Sequence, residues 1–290
     1  MSPTPASMPC PAPTAPANVL SIAGTDPTGG AGIQADLKTF GALGAYGMAV
    51  VTALVAQNTQ AVRVVSPLAP ELVQAQLEAV FEDVTVAAVK IGMVANAEIA
   101  EAIAEVLARH RPPFVVFDPV MAASTHKRLM NESDLERIRT ALLPQVSLLT
   151  PNLKEAARLL DIAQPVDEAG MRACLPALQA LGVPNVLLKG GHLAEDTPDA
   201  PESTDLLATP EGVIRLSAPR IATRHGHGTG CTLSSAIAAL WPQHGLEKAT
   251  RMAKDYVHGA LLHADALQVG HGRGPLHHFW QAVHLPGQLA

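Results

Sequence analysis

The chain reads as an α/β protein with a central, mostly parallel sheet and helices on both faces. Three observations predict this. Apolar runs of strand length alternate with amphipathic stretches of helix length. The strands are apolar throughout rather than at every second position, as in strands buried on both faces. Distinctive Gly, Asn, Asp and Lys residues gather where strands end, and ligands of open α/β sheets bind beyond those carboxyl ends.

The elements follow in order. Residues 19–23 form an apolar strand closed by Gly24. In 33–43, Ile33, Leu37, Phe40 and Leu43 recur near helical spacing. Residues 48–55 are rich in β-branched side chains and read as one second strand. A helix is expected over 70–81, with Leu72, Val73, Leu77 and Val80 on one side. Strand 86–91, helix 97–108, strand 114–117, helix 133–143 and strand 146–149 continue the alternation. Helices near 153–160 and 168–181 precede a strand at 186–188. Residues 206–209 and 213–216, joined by Pro210-Glu211-Gly212, predict a hairpin. Two helices, near 230–241 and 247–266, complete the pattern.

Composition narrows the function classes. The chain has 290 residues, 48% hydrophobic and 16% charged, enough for a full core from about residue 18 onward. No internal repeat or linker divides it, so 18–285 reads as one domain; the acidic, Pro-rich 195–203 reads as a surface loop. Aromatics at 3% and a net charge of -6 argue against nucleic-acid binding. No window approaches ~18 uninterrupted apolar residues, so no membrane partner is expected. Cys10, Cys174 and Cys231 are few, scattered and odd in number, which fits a reducing cytoplasm. Residues 1–17 are rich in Pro, Ala, Ser and Thr, lack the apolar segment of a secretory signal, and read as a disordered tail.

One motif carries the most chemistry. Gly226-His227-Gly228-Thr229-Gly230-Cys231 leads straight into an apolar helix. Small residues allow close backbone approach, and a helix start directs unpaired N–H groups and its dipole at an anion. Cys231 falls in the first turn, where that field is expected to favour a thiolate. Group transfer at phosphate is the chemistry this combination suits.

Other motifs are weighed against plainer roles. Gly30-Ala31-Gly32-Ile33-Gln34-Ala35 matches a dinucleotide fingerprint, but no acidic residue closes the next strand, where Gln57-Asn58 stand; a loop cradling substrate suits it better. Asp36 and Lys38, by spacing alone, read as a solvated helix face. Gln57, at the end of a buried strand, needs partners from a ligand or from its own loop. Asn152 and Glu155 read as a capping box, or as a carboxylate held near Mg²⁺ and phosphate. Lys189, beside Gly190 and Gly191, suits either a phosphate contact or a path into solvent. His225 and His227 lack the spacing of a preformed metal site. Cys231 is either a small buried residue or a functional thiol, and its flanking glycines favour function.

The stretches SIAGTDPTGGAGIQADLKTFGALGAYG, ALVAQNT, KIGMV, DPVM, LLTPNLKEA, LLKGGH and HGTGCTLSSAIAA occur in that order. Together they resemble the hydroxymethylpyrimidine/phosphomethylpyrimidine kinases of thiamine biosynthesis, within the ribokinase-like superfamily. The resemblance runs from about residue 18 to Trp280, and GHGRGPLHHFW also looks like that family's C-terminus. It implies a ribokinase-like fold and ATP-dependent phosphorylation of 4-amino-5-hydroxymethyl-2-methylpyrimidine, then of its monophosphate, with Mg²⁺ and a homodimeric assembly. It matches Cys231 to the general base, and Gly228, Thr229 and Gly230 to an anion hole. It matches Asp36 and Gln57 to pyrimidine hydrogen bonds, and Ala31 and Met93 to the pocket walls. It ties Glu155, with Asn152, to Mg²⁺ and the ATP phosphates; Lys189 and Asp118 fall near those phosphates. Two departures stand out: Gly226 replaces a small hydroxyl residue, and DPVMAASTHKRLM lacks the family's Gly and Asp after Ser124. The alternatives are a pyridoxal kinase and a non-catalytic vitamin or nucleotide sensor on the same fold.

Overall fold

Residues 19–23 form a strand as expected, over Asn18–Ala23 (β1), and the rest of the chain builds outward from it. The structure is a computed structural model and describes residues 15–120, 132–191, 193 and 202–281. Most of the expected tail, the Met121–Met130 part of the atypical motif and most of the acidic loop lie outside the described residues.

From β1 the chain passes through α1 (Gly32–Ala42) to β2 (Tyr46–Val51), which pairs parallel with β1. The single second strand expected at 48–55 is in fact two. After β2, Thr52 donates its N–H to Ala23 and its hydroxyl to the Met93 carbonyl. The chain then leaves the main sheet, and β3 (Ala53–Gln57) pairs antiparallel with β4 (Val62–Pro67) as a separate two-stranded hairpin. The sequence reading missed β4, because an isolated hairpin is exposed on one face and lacks the continuous apolar run of a core strand. Asn58 holds its turn by accepting the N–H groups of Gln60 and Ala61.

The chain returns through α2 (Pro70–Phe81) to β5 (Ala88–Ile91), which pairs with the other side of β1. Next come α3 (Ala97–His110), β6 (Val115–Phe117), α4 (Glu132–Leu142) and β7 (Leu148–Leu149). Then follow α5 (Leu153–Leu160), α6 (Glu168–Gln179) and β8 (Asn185–Lys189). The expected hairpin is β9 (Glu202–Thr209) with β10 (Gly212–Pro219), longer at both ends. The last two helices are α7 (Thr229–His244) and α8 (Leu246–Leu262).

The main sheet has eight strands in the order β10-β9-β8-β7-β6-β5-β1-β2, parallel except for the β8–β9–β10 edge. One face packs α2 to α6 around Leu77, Ile103, Leu142 and Leu175. The other packs α1, α7 and α8 around Phe40, Ile237 and Ala253. Helices on both faces follow from strands apolar on both sides. The connections leaving β1 and β5 run in opposite directions along the sheet. Their divergence opens a crevice at the strands' carboxyl ends, the usual ligand position in such sheets.

Candidate active site

That crevice is a cavity of about 720 Å³. Its lining collects loops distant in sequence. The loop after β1 supplies Gly24 and Ala31, and hairpin strand β3 supplies Val55 and Gln57. Met93 follows β5, Asp118 follows β6, Asn152 and Glu155 open α5, and Lys189 ends β8. Gly228, Thr229, Gly230 and Cys231 line it from the start of α7. Among the expected site residues, Asp36 alone is not in this lining.

The start of α7 is built to present donors. Gly228 caps the helix at φ 84, a left-handed conformation that suits glycine. A Cβ there would also collide with the Gly30 carbonyl, so the two glycine loops meet backbone to backbone. The first i to i−4 bond runs from Thr232 N–H to Gly228 O at 2.8 Å. The N–H groups of Thr229, Gly230 and Cys231 precede it and have no acceptor within the helix. Thr229 donates its hydroxyl to the Gly226 carbonyl at 2.9 Å, which closes the loop.

Asp26, which the sequence reading passed over, organises the facing loop. Its carboxylate accepts the N–H groups of Thr28, Gly30 and Ala31 and the Thr28 hydroxyl. Its Oδ2 also lies 2.9 Å from His227 Nε2. Burial opposes the charge, but these hydrogen bonds and His227 hold the carboxyl well below the usual carboxylate range. The signal was there: Thr-Asp-Pro-Thr-Gly-Gly carries the loop's single carboxylate, two residues before a hydroxyl. His227 is thus a clip, not half of a metal pair with His225, whose Nε2 lies 3.3 Å from Asp265.

Asp36 corrects two expectations. It is neither solvated nor at the cavity wall. It is fully buried beneath the floor, with both oxygens engaged by Lys90 Nζ at 2.9 and 2.8 Å. Ser21 and Ser235 donate to it as well. Strands β1 and β5 and helix α7 converge on this α1 carboxylate, so no oxygen is left for a ligand. Lys90 itself lines the cavity while buried, held charged against desolvation by Asp36. A lysine inside an apolar strand was a readable signal, since such a charge needs a partner. Gln57 is corrected too: it ends a half-exposed hairpin strand rather than a buried one.

The thiol behaves opposite to expectation. Removal from water, with Asp36 and Asp118 nearby, pushes Cys231 up to about 11. Lys90 and the Gly32 N–H pull the other way without winning. The helix-terminus effect, worth at most ~2 kcal/mol, is outweighed by desolvation and two like charges.

At the other end, Asp118 accepts from Lys189 Nζ at 2.7 Å and from Thr150 at 3.3 Å. A Cβ on Gly230 would sit 3.2 Å from both Asp118 Oδ2 and Lys189 Nζ, so this ion pair abuts the α7 start. Asn152 and Glu155 form the full capping box, each side chain on the other's N–H at 2.9 and 2.8 Å. Burial raises Glu155 to about 7, and Asp118 adds to this against Lys189. A cavity-lining carboxylate raised in this way fits a divalent cation, whose charge would reverse the shift. Among the described residues no group of three or more His, Cys, Asp or Glu could form a metal cage. Mg²⁺ needs none, since it keeps several waters and takes one or two carboxylates.

Comparison with known proteins agrees with this geometry. The family model for phosphomethylpyrimidine kinase matches residues 26–277. The hydroxymethylpyrimidine/phosphomethylpyrimidine kinase of Salmonella typhimurium is 54% identical over 263 residues, 90% of this chain and 97% of that protein. The pyridoxal kinase of Staphylococcus aureus, solved with ADP, superposes with a TM-score of 0.83 at 30% identity, covering 93% of this chain and 96% of that one. The phosphomethylpyrimidine kinase of Clostridium difficile 630 gives 0.73 at 38% identity, covering 84% and 99%. No helix among the described residues is long and apolar enough to cross a membrane. With the match spanning both glycine loops, the capping box and the thiol helix, the chain belongs to the phosphomethylpyrimidine kinase family.

Proposed function

We propose that this protein transfers the terminal phosphoryl group of ATP to the hydroxyl of 4-amino-5-hydroxymethyl-2-methylpyrimidine and then to the resulting monophosphate, for thiamine biosynthesis. The observation that carries the reading is the meeting of the α7 start, Cys231 and the Asp118–Lys189 pair in one cavity. Phosphoryl transfer needs alignment and charge stabilisation more than covalent help.

In the first transfer the substrate hydroxyl oxygen bonds to the γ-phosphorus, the bond to the β,γ-bridging oxygen breaks, and ADP leaves with that electron pair. The hydroxyl proton passes to Sγ of Cys231 in its thiolate form, which becomes the thiol; the raised value of this thiol makes that form scarce near neutral pH. In the second, a phosphate oxygen of the monophosphate attacks. A phosphomonoester loses its second proton near pH ~6, so this step makes less demand on a base. The N–H groups at Gly228–Cys231 face the charge that develops, each worth about 3 kcal/mol in such a role. Lys189 neutralises phosphate oxygens and Asp118 holds Lys189 in place. Gln57 hydrogen-bonds the pyrimidine, and Ala31 and Met93 flank its ring. Asn152 fixes Glu155 through the capping box, and Glu155 with nearby waters would hold Mg²⁺, which when bound offsets charge on the ATP oxygens.

We place the enzyme in the cytoplasm, as one kinase domain over 18–285 assembled as a homodimer; the family resemblance supports the dimer, and sedimentation would test it. ADP release decides between readings when measured with hydroxymethylpyrimidine, its monophosphate, pyridoxal and ribose. The first two should be the preferred acceptors. A preference for pyridoxal would replace the assignment. Nucleotide binding without ADP release on any acceptor would leave the sensor reading.

A further inference from the structure

Three cations that line the cavity have a carboxylate, and Arg220 donates to the Gly191 carbonyl. Lys90 pairs with Asp36, Lys189 with Asp118, and Lys254 with Asp205 at 2.6 Å. Arg273 differs. It lines the cavity mouth and is exposed, and among the described residues its guanidinium has no hydrogen bond or ion pair.

Its backbone is nevertheless fixed at both ends. Arg273 donates its N–H to Thr59 O at 2.9 Å, and Gly272 donates to the Thr59 hydroxyl at 3.1 Å. Thr59 is in the turn of the β3–β4 hairpin, whose Val55 and Gln57 wall the cavity. On the other side, Gly274 O accepts the N–H of His227 at 3.0 Å. The arginine is therefore mounted between the hairpin tip and the glycine loop before α7. Its guanidinium lies across Gly226: a Cβ there would fall 2.8 Å from Arg273 Nη2. A larger residue at 226 would shift the flexible end of the Arg273 side chain. Lys254 and His258 line the cavity from α8, whereas Arg273 belongs to the hairpin wall.

We propose that Arg273 is a specificity-determining residue that recognises the phosphate of an acceptor already phosphorylated once, and so favours the second transfer. This rests on the two-step reading above. A guanidinium is a planar fork suited to phosphate oxygens. Mounted beside the hairpin wall and the anion loop, it faces the acceptor end. The unphosphorylated alcohol offers it no anion.

The test measures kcat/KM for the alcohol and for its monophosphate at saturating MgATP, with Arg273→Gln and Arg273→Lys. The Gln variant should lose about 10- to 100-fold on the monophosphate, mostly in KM, the range of a lost charge-assisted contact. Its alcohol kinetics and ATP KM should stay within about twofold, and Lys should restore part of the loss. Arg273→Met, which keeps much of the side-chain length and removes every donor, should show the same selective loss. If the Gln variant fails to fold, Arg273→Met and Arg273→Lys carry the test. Equal losses on both acceptors, a change confined to ATP, or no change would each overturn the proposal. A wild-type protein that phosphorylates the alcohol but not the monophosphate would overturn it too. A wild-type protein inactive on both acceptors would instead remove the two-step reading itself.

Discussion

His227 Nε2 and Asp26 Oδ2 stand 2.9 Å apart across 201 residues of sequence, and this pair joins the two glycine loops that frame the cavity. Asp26 orders its own loop through three N–H groups, while His227 sits next to the helix cap Gly228. The spacing between the loops is therefore set by one buried pair as well as by the backbone approach of Gly228 to Gly30.

Replacing Asp26 with Ala removes the acceptor for those N–H groups and strands His227. Stability should fall by about 2–4 kcal/mol, because buried donors lose their partner. Urea denaturation should show a lower midpoint at an unchanged slope. Turnover should fall as well, since the donors at the start of α7 lose their register. Wild-type stability in the variant would show that the loops hold each other without this pair.

Cys231→Ala should leave nucleotide affinity intact and lower turnover on the alcohol by about 10²–10⁴, the usual contribution of a positioned base. The thiol sits at about 11, so below that value its thiolate fraction grows about tenfold per pH unit. Wild-type turnover on the alcohol should accordingly rise from pH ~6 to ~9, and the Ala variant should lose that slope. A pH–rate profile with each acceptor measures this. The monophosphate should depend less on pH and on the thiol.

Lys90→Met leaves Asp36 as a buried charge facing Ser21 and Ser235 alone. The expected cost is about 3–5 kcal/mol. It also removes the main charge that lowers the thiol, so any folded variant should turn over more slowly. The double change Lys90→Met with Asp36→Leu should recover much of the stability and part of the turnover, because Asp36 also raises the thiol. Chemical denaturation and steady-state kinetics on the wild type and the two variants separate the two effects.

His278 is buried and held down to about 4 by loss of water, with Lys38 and His277 adding to it. Its ordinary value is 6.5, so between 6.5 and 4 the unfolded chain binds a proton that the folded chain does not. Stability should drop as pH falls through that window, by at most about 3 kcal/mol from this one group. In His278→Gln, where the amide can still face the Thr232 hydroxyl, the acid slope should flatten. Thermal melts from pH 7 to 4 measure it.

The sequence by itself determined the alternation of strands and helices, because apolar runs buried on both faces leave few other architectures. It also located the glycine loop before α7, the capping box of Asn152 and Glu155, and Lys189 at a strand end, because these depend on neighbours within a few residues. Tertiary structure alone decided the rest. Whether 48–55 was one strand or two depended on hydrogen bonds from Thr52 to Ala23 and Met93, which no local pattern records. Whether Asp36 met a ligand or a lysine depended on Lys90, 54 residues away. The charge on Cys231 was misjudged because a helix start argues for a thiolate locally, while burial and two distant carboxylates argue more strongly against it. Local hydrogen-bonding and packing preferences survive in the linear order of residues. Electrostatics in a low-dielectric interior depends on distances through space, and only the folded chain sets those.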